Sequence, residues 1–241
     1  IEAAVSAQSE ALAQMDLDGY LATFDASAEA YLMAQRHWFE DAVRWRNEKP
    51  DQRKVARSVS RVALLGTNTA HVDIVLEMAD TEIRSVTLET VWVQTEDGRW
   101  VEHGWHKEVL ESGEVAVWYP EAAADLAREM LTNARQAVAL AKEAGWWTGA
   151  PVLIDIFPSE HEYRATLGPS LGQFEMQAWT DYNEPIRLPV RTQALGPLTL
   201  YQMITGQEVR RLSHNNAPRW LALSVGEVAA ARAAGLSPEE M

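Results

Sequence analysis

Residues 199–227 read TLYQMITGQEVRRLSHNNAPRWLALSVGE. The stretch reads as two helices joined at the turn Asn216-Ala217-Pro218-Arg219-Trp220-Leu221. Asn216 or a neighbour is placed to cap the second helix, and Pro218 to pre-set its first turn. Trp220 is placed to fill the space between the two helices, so a largely buried indole is expected.

That turn is similar to the N-x-P-R-W-L turn of gluzincin-like (peptidase MA-like) zinc metallopeptidases. In that family a helix carrying H-E-x-x-H precedes the turn by about a dozen residues, and E-G-x-A-E opens the helix after it. Here Gln202-Met203-Ile204-Thr205-Gly206 stands where H-E-x-x-H belongs, and Leu223-Ser224-Val225-Gly226-Glu227 where E-G-x-A-E belongs. Two His at i and i+4 on one helix face reach a single zinc, and the Glu between them polarises its water. The resemblance therefore implies that Gln202 and Gly206 occupy ligand positions, Met203 the base position and Leu223 the third-ligand position. Thr205 and Glu227 keep residues of the family type. Met and Gly supply no hard or borderline ligand, and Leu supplies none. No H-E-x-x-H occurs anywhere in the chain. A peptidase-like scaffold without zinc, cofactor or catalytic residues is expected.

Upstream of this stretch, Glu114–Tyr119 alternates as a strand, and Pro120 opens a long Ala-rich helix that ends at Gly145. Pro151–Phe157 reads as a strand. Pro158-Ser159 leads into a short helix, with Glu162 placed for a capping box and His161 half-imitating the missing motif. Gln173–Val190 reads as a pair of edge strands, held to a sheet margin by Pro185 and Pro189. This order also resembles the gluzincin-like family, over about residues 114–233. The edge strand that borders the substrate cleft in active relatives is then a candidate for pairing with a peptide.

Residues 1–46 are helical in pattern, interrupted at Asp16-Leu17-Asp18-Gly19-Tyr20, where Asp16 or Asp18 can cap a short helix near Tyr20–Phe24. From Val55 to Val109 the period becomes two, with turns at Gly66-Thr67-Asn68 and Asp97-Gly98. Helices followed by a strand meander resemble the nuclear transport factor 2-like (SnoaL-like) fold, on Met15–Phe24 and on Asp97-Gly98-Arg99-Trp100. That fold is a curved sheet around helices and often holds a small molecule. A site of the ketosteroid-isomerase type needs an acid deep in the pocket and a donor opposite it. By residue type the candidates are Tyr31, Asp73 and Glu89, with Trp92 among the aromatic residues that either fill the core or line the pocket. His103 and His106, three apart on a strand, face opposite sides and do not share an ion.

The expected fold class is α+β: a cystatin-like or nuclear transport factor 2-like cone over residues 1–112, then a gluzincin-like domain over 113–241, joined by a linker at Glu111-Ser112-Gly113. The formal net charge is −14, with 20 acidic against 11 basic residues in 1–112 and 15 against 10 thereafter. Neither half offers the basic patch that nucleic acid or anionic membrane requires. No apolar run approaches the roughly 18 residues of a membrane span. The chain has no Cys, and it opens on Ile1, which reads as a processing boundary with any leader or anchor upstream. The expectation is an exported bacterial envelope protein whose partner is a peptide, a protein or a small molecule. A small-molecule-binding protein or an enzyme using the N-terminal pocket is the alternative.

Overall fold

The helical pattern of the first 48 residues becomes three helices in the computed structural model, which describes residues 1–190 and 193–236. Helix α1 (Glu2–Gln14) buries Val5, Gln8, Ala11 and Leu12 and stops at Met15 in the left-handed conformation. Asp16 then caps α2 (Leu17–Leu21), its carboxylate accepting from the Gly19 amide at 3.0 Å. Helix α3 (Glu29–Glu48) buries Tyr31, Gln35, Trp38, Phe39, Ala42 and Trp45, one stripe at helical spacing. Strands β1 (Val55–Leu64), β2 (Thr69–Met78), β3 (Ser85–Gln94) and β4 (Trp100–Trp105) follow. They pair in that order, all antiparallel.

The chain continues through β5 (Glu108–Ser112), β6 (Val115–Tyr119), α4 (Ala124–Glu143), β7 (Val152–Phe157) and α5 (Glu160–Leu167). It ends with β8 (Ile186–Pro189), α6 (Pro197–Leu212) and α7 (Arg219–Ala233). No described helix is long and apolar enough to cross a membrane. The mixture of helix with largely antiparallel sheet is α+β, as expected.

Two compact units form, and their limits differ from the expected ones. The first comprises Ile1–His106 and Ser159–Met176, the second Lys107–Pro158 and Gln177–Met241. The expected boundary at 112/113 falls inside a hairpin. Ser112 pairs with Val115, and Gly113 adopts φ 62° in the two-residue turn between β5 and β6. Glu111-Ser112-Gly113 is therefore not a linker: a two-residue turn needs a residue at positive φ, and Gly supplies it without strain.

In the first unit, residues 159–176 complete the core. Ser159 caps α5, accepting from the Glu162 amide at 3.1 Å. Tyr163, Ala165, Thr166 and Leu167 are buried. The Trp38 indole N–H donates to the Ala165 carbonyl at 2.9 Å, and Asp41 accepts from the Ser170 amide at 2.8 Å.

In the second unit the sheet order is β5-β6-β7-β8, with β6–β7 and β7–β8 parallel. Helix α4 is the crossover from β6 to β7. Its buried row Ala127, Met130, Ala134, Ala137 and Ala141 meets Val117, Ile154, Ile186, Leu200 and Ile204 in one core. The pair of strands expected over 173–190 is reduced to β8 and a single bridge from Trp179 to Arg187.

Candidate functional site

Two places could carry function by the sequence argument: the interior of the first unit and the α6–α7 pair. In the first, Glu102 is fully buried and every contact it makes stabilises its charge. The Arg57 guanidinium lies 3.1 Å from each carboxylate oxygen. The Tyr31 hydroxyl donates to Oε1 at 2.5 Å, and the Gln8 amide donates to Oε2 at 2.9 Å. Tyr20 donates to Gln35 at 2.8 Å and accepts from Arg57 at 3.4 Å. Burial, then the Glu102 charge, pushes the Tyr31 phenol well above its usual range. Burial raises Tyr20 as well. Burial is the largest influence and works against the Arg57 cation, but the Glu102 charge and hydrogen bond together with Tyr20 and Tyr31 outweigh it, and the net direction is upward.

This cluster ties α1, α2, α3, β1 and β4 together, and it leaves Glu102 no free lone pair aimed at a substrate. The cavity beside it, bounded by Tyr20, Gln35, Trp38, Arg57, Trp105 and Thr166, measures about 10 Å³. That is about the room one water needs. As folded, the space beside the cluster is filled by packed side chains.

The four residues expected at an N-terminal pocket divide between two faces. Tyr31 and Trp92 point inward, Trp92 at 0 % exposure with its indole N–H on the Thr90 hydroxyl at 3.0 Å. Asp73 and Glu89 are register partners on the other face, one step out of phase with the buried Val72, Ile74, Leu88 and Thr90. Asp73 lies 3.7 Å from the Arg61 guanidinium, and Glu89 is exposed 3.6 Å from His106. The acid-opposite-donor arrangement is therefore not assembled from Tyr31, Asp73 and Glu89, because strand alternation sends both acids outward.

Arg57 and Glu102 take the inward positions instead, and the sequence carries a signal for them. Arg57 stands between Val55 and Val59 in the inward phase of β1. Glu102 stands two residues from Trp100, just before a bulge that leaves His103 unpaired between Val91↔Gly104 and Trp92↔Glu102. Opposite charges in the apolar phase of two strands point to a buried pair. His103 and His106 part as expected: His103 meets Asp25 at 2.7 Å, and His106 lies against His71.

In the second unit, Gln202, Met203 and Gly206 lie on α6, and Leu223 and Glu227 on α7. The 202/206 face meets Ala222 and Gly226, not Leu223 and Glu227. A Cβ on Gly226 would stand 2.4 Å from the Gln202 carbonyl oxygen, and one on Gly206 3.3 Å from the Ala222 carbonyl. The helices cross in backbone contact, so no ion with a ligand shell fits between them at that point. Leu223 is 45 % exposed and Glu227 exposed. Met203 packs on the core. Among the described residues no group of three or more His, Asp or Glu is placed to hold a metal ion. Gly226→Ala is expected to lower the stability of this unit by about 1–3 kcal/mol, the cost of overpacking. The gain in helix propensity, about 1 kcal/mol, does not offset a clash with rigid backbone. A thermal melt that is unshifted or raised would refute the close crossing.

The same crossing explains why the expectation for Trp220 fails. Small residues close the gap between the helices, which leaves no space for an indole, and Trp220 is 67 % exposed. The cap of α7 is Pro218, with no side-chain cap from Asn216. Arg219 stacks on Trp179, 3.6 Å from the ring centroid.

Peptide pairing along β8 is also closed off. The Arg187 amide donates to the Trp179 carbonyl at 2.7 Å and its carbonyl accepts from the Trp179 amide at 2.9 Å. The next outward position is Pro189, which has no N–H. Behind this edge lies a buried charge row. Lys107 pairs with Asp155 and sits 3.4 Å over the Phe157 ring, and Arg187 pairs with Glu184. Burial lifts the Asp155 carboxyl above its usual range, against the pull of Lys107 and Arg187.

The outer face of α7 is open to a partner. Trp220, Leu221, Leu223 and Val228 are exposed there, while Ala222, Gly226 and Ala229 are buried on the opposite side. Beside it a groove of about 700 Å³ is lined by Leu140, Trp146, Tyr201, Val225, Val228 and Ala229. Comparison of the chain with protein-family models, with curated proteins and with solved structures finds no match.

Proposed function

We propose that the chain is a peptidase-like protein without peptidase chemistry, a binding or scaffolding module of the bacterial cell envelope. The observation that carries this reading is the outer face of α7, where Trp220, Leu221, Leu223 and Val228 stand in solvent on a helix with three charged residues, Arg219, Glu227 and Arg232. A surface helix that only covers its own core is polar on its outer side. Large exposed apolar side chains in one patch mark an interaction surface. The gluzincin-like resemblance of residues 199–227 supports the peptidase-like half of the proposal. The residues at its ligand and base positions, Gln202, Met203, Gly206 and Leu223, support the loss of chemistry. The nuclear transport factor 2-like reading of the first unit supports a structural part in the same module. A small-molecule site beside the Arg57–Glu102 cluster is disfavoured by a cavity of about 10 Å³.

The test is a photo-crosslinking amino acid placed at position 223 in the source cell, with a second at Glu121 on α4's approach as control. Adducts at 223 and none at the control are expected. No adduct at either position would overturn the reading. So would hydrolysis of a peptide substrate by the purified chain with one equivalent of zinc. Trp220→Ala is expected to leave the melting midpoint nearly unchanged, since an exposed indole contributes far less than the roughly 3–5 kcal/mol of a core aromatic.

A further inference from the structure

We infer that the open half of the β1 edge, about residues 61–65, is a docking site for an extended peptide segment of a partner, which pairs with it as an added strand. The site belongs to the first unit and does not depend on the α7 face.

The sheet of the first unit has edges at β1 and β4. The β4 edge is met by residues 23–25: the Asp25 amide donates to the Glu102 carbonyl at 2.9 Å, and the Glu102 amide donates to the Thr23 carbonyl at 3.0 Å. On β1 such cover stops half-way. The Ser9 hydroxyl of α1 donates to the Arg57 carbonyl at 2.8 Å and accepts from the Arg57 amide at 2.9 Å. The strand then bulges between Val59 and Arg61, and pairing resumes with Arg61↔Asp73 and Ala63↔His71. At its end the Leu65 amide donates across the hairpin to the Thr69 carbonyl at 2.8 Å. Antiparallel alternation therefore turns the amides and carbonyls of Val62 and Leu64 away from β2. Among the described residues no hydrogen bond from beyond the sheet reaches them. Other edges are blunted: β8 carries Pro189, and β5 is five residues long with two glutamates. Residues 61–65 have neither Pro nor Lys to do the same.

Unpaired backbone groups in a row accept one kind of occupant, another extended chain. The side chains state its pattern. Val62 and Leu64 stand in the core phase of β1, opposite the fully buried Val72 and Ala70, yet both are exposed, Leu64 at 66 %. A strand added here sets its own apolar residues beside them at every second position. Arg61 points to the other face. Its guanidinium lies 3.7 Å from Asp73, beyond hydrogen-bond distance, which leaves donors for a second carboxylate. The fitting segment therefore alternates apolar residues with an acidic one between them. A second copy of β1 does not fit that pattern, since the strand holds two arginines and no acid. The charge of −14 on each copy also opposes self-association.

A phage-displayed library of random dodecapeptides, panned on the purified chain, supplies the probe. Enriched peptides are expected to carry apolar residues at every second position with Asp or Glu between them. A synthetic copy N-methylated on one alternate set of amides should lose binding, and a copy methylated on the other set should keep it. Val62→Pro removes an outward donor and should raise Kd roughly ten-fold, the loss of about one backbone hydrogen bond. Leu64→Lys should weaken binding without touching the bulge, with circular dichroism spectrum and melting midpoint unchanged, and decides the matter if the proline variant misfolds. Enrichment no greater than on an unrelated protein overturns the inference, as does binding indifferent to Leu64→Lys. Binding that falls with Leu64→Lys but ignores the methylation pattern marks an apolar patch without strand pairing, and overturns it too. So does a wild type that sediments as a dimer broken by Leu64→Lys, because the edge is then taken by a second copy.

Discussion

Glu102→Ala should lower the stability of the first unit by about 3–5 kcal/mol, the range for removing one partner of a buried ion pair. Most of that comes from what is left behind. The Arg57 side chain is 3 % exposed, and without the carboxylate its charge sits in the core uncompensated. Tyr31 and Gln8 each lose a buried acceptor at the same time. Since a whole domain is stable by only about 5–15 kcal/mol, the variant is near or past its unfolding threshold. An exposed pair such as Arg99–Asp97 should cost far less when broken, since solvent screens it in both states. The double variant Arg57→Met, Glu102→Leu should recover most of the loss, because two matched apolar side chains leave no orphaned charge. Denaturant melts of the single and double variants test this. If Glu102→Ala costs no more than the surface pair, the cluster is not what ties the helices to the sheet.

A fragment ending at His106 or Ser112 should fail to fold cooperatively, and fusing residues 159–176 to it should restore a melt. Without that segment the Trp38 indole loses its hydrogen-bond acceptor at Ala165, and Asp41 loses the Ser170 amide. Tyr163 and Leu167, buried in the whole protein, are missing from the core altogether. Large apolar side chains contribute about 1.5–3 kcal/mol each when buried. Two or three such losses with two broken hydrogen bonds, one of them buried, approach the stability of a small domain. Two-dimensional amide NMR of both fragments gives the readout. A dispersed spectrum from residues 1–106 alone would show that the segment covers a core already formed. Residues 1–112 read as a separate core from sequence, whereas the compact unit in the structure is Ile1–His106 with Ser159–Met176.

Local chemistry settled much of this protein. The period of apolar residues marked the three N-terminal helices, the four-stranded meander and α4, because a face must repeat at the pitch of its own element. Asp16 and Ser159 announced helix starts through side chains that reach their own backbone amides. Asp97-Gly98 and the pattern after Asn216 marked a turn and a second helix for equally short-range reasons. The same periodicity could not say what each face meets. Trp220 is expected to fill the space between two helices, and it points outward because Gly206 and Gly226 let α6 and α7 touch by their backbones. Glu111-Ser112-Gly113 reads as a linker, and it is a hairpin turn because β5 found a partner in β6. Residues 159–176 look continuous with the strand before them, but their buried face belongs to a core built from the first hundred residues. Arg57 and Glu102 are 45 positions apart and meet only when β1 and β4 share a sheet with the helices packed on it. Periodicity is a property of neighbours along the chain. Burial, charge pairing and exposure depend on contacts between distant segments, and those exist only once the chain has folded.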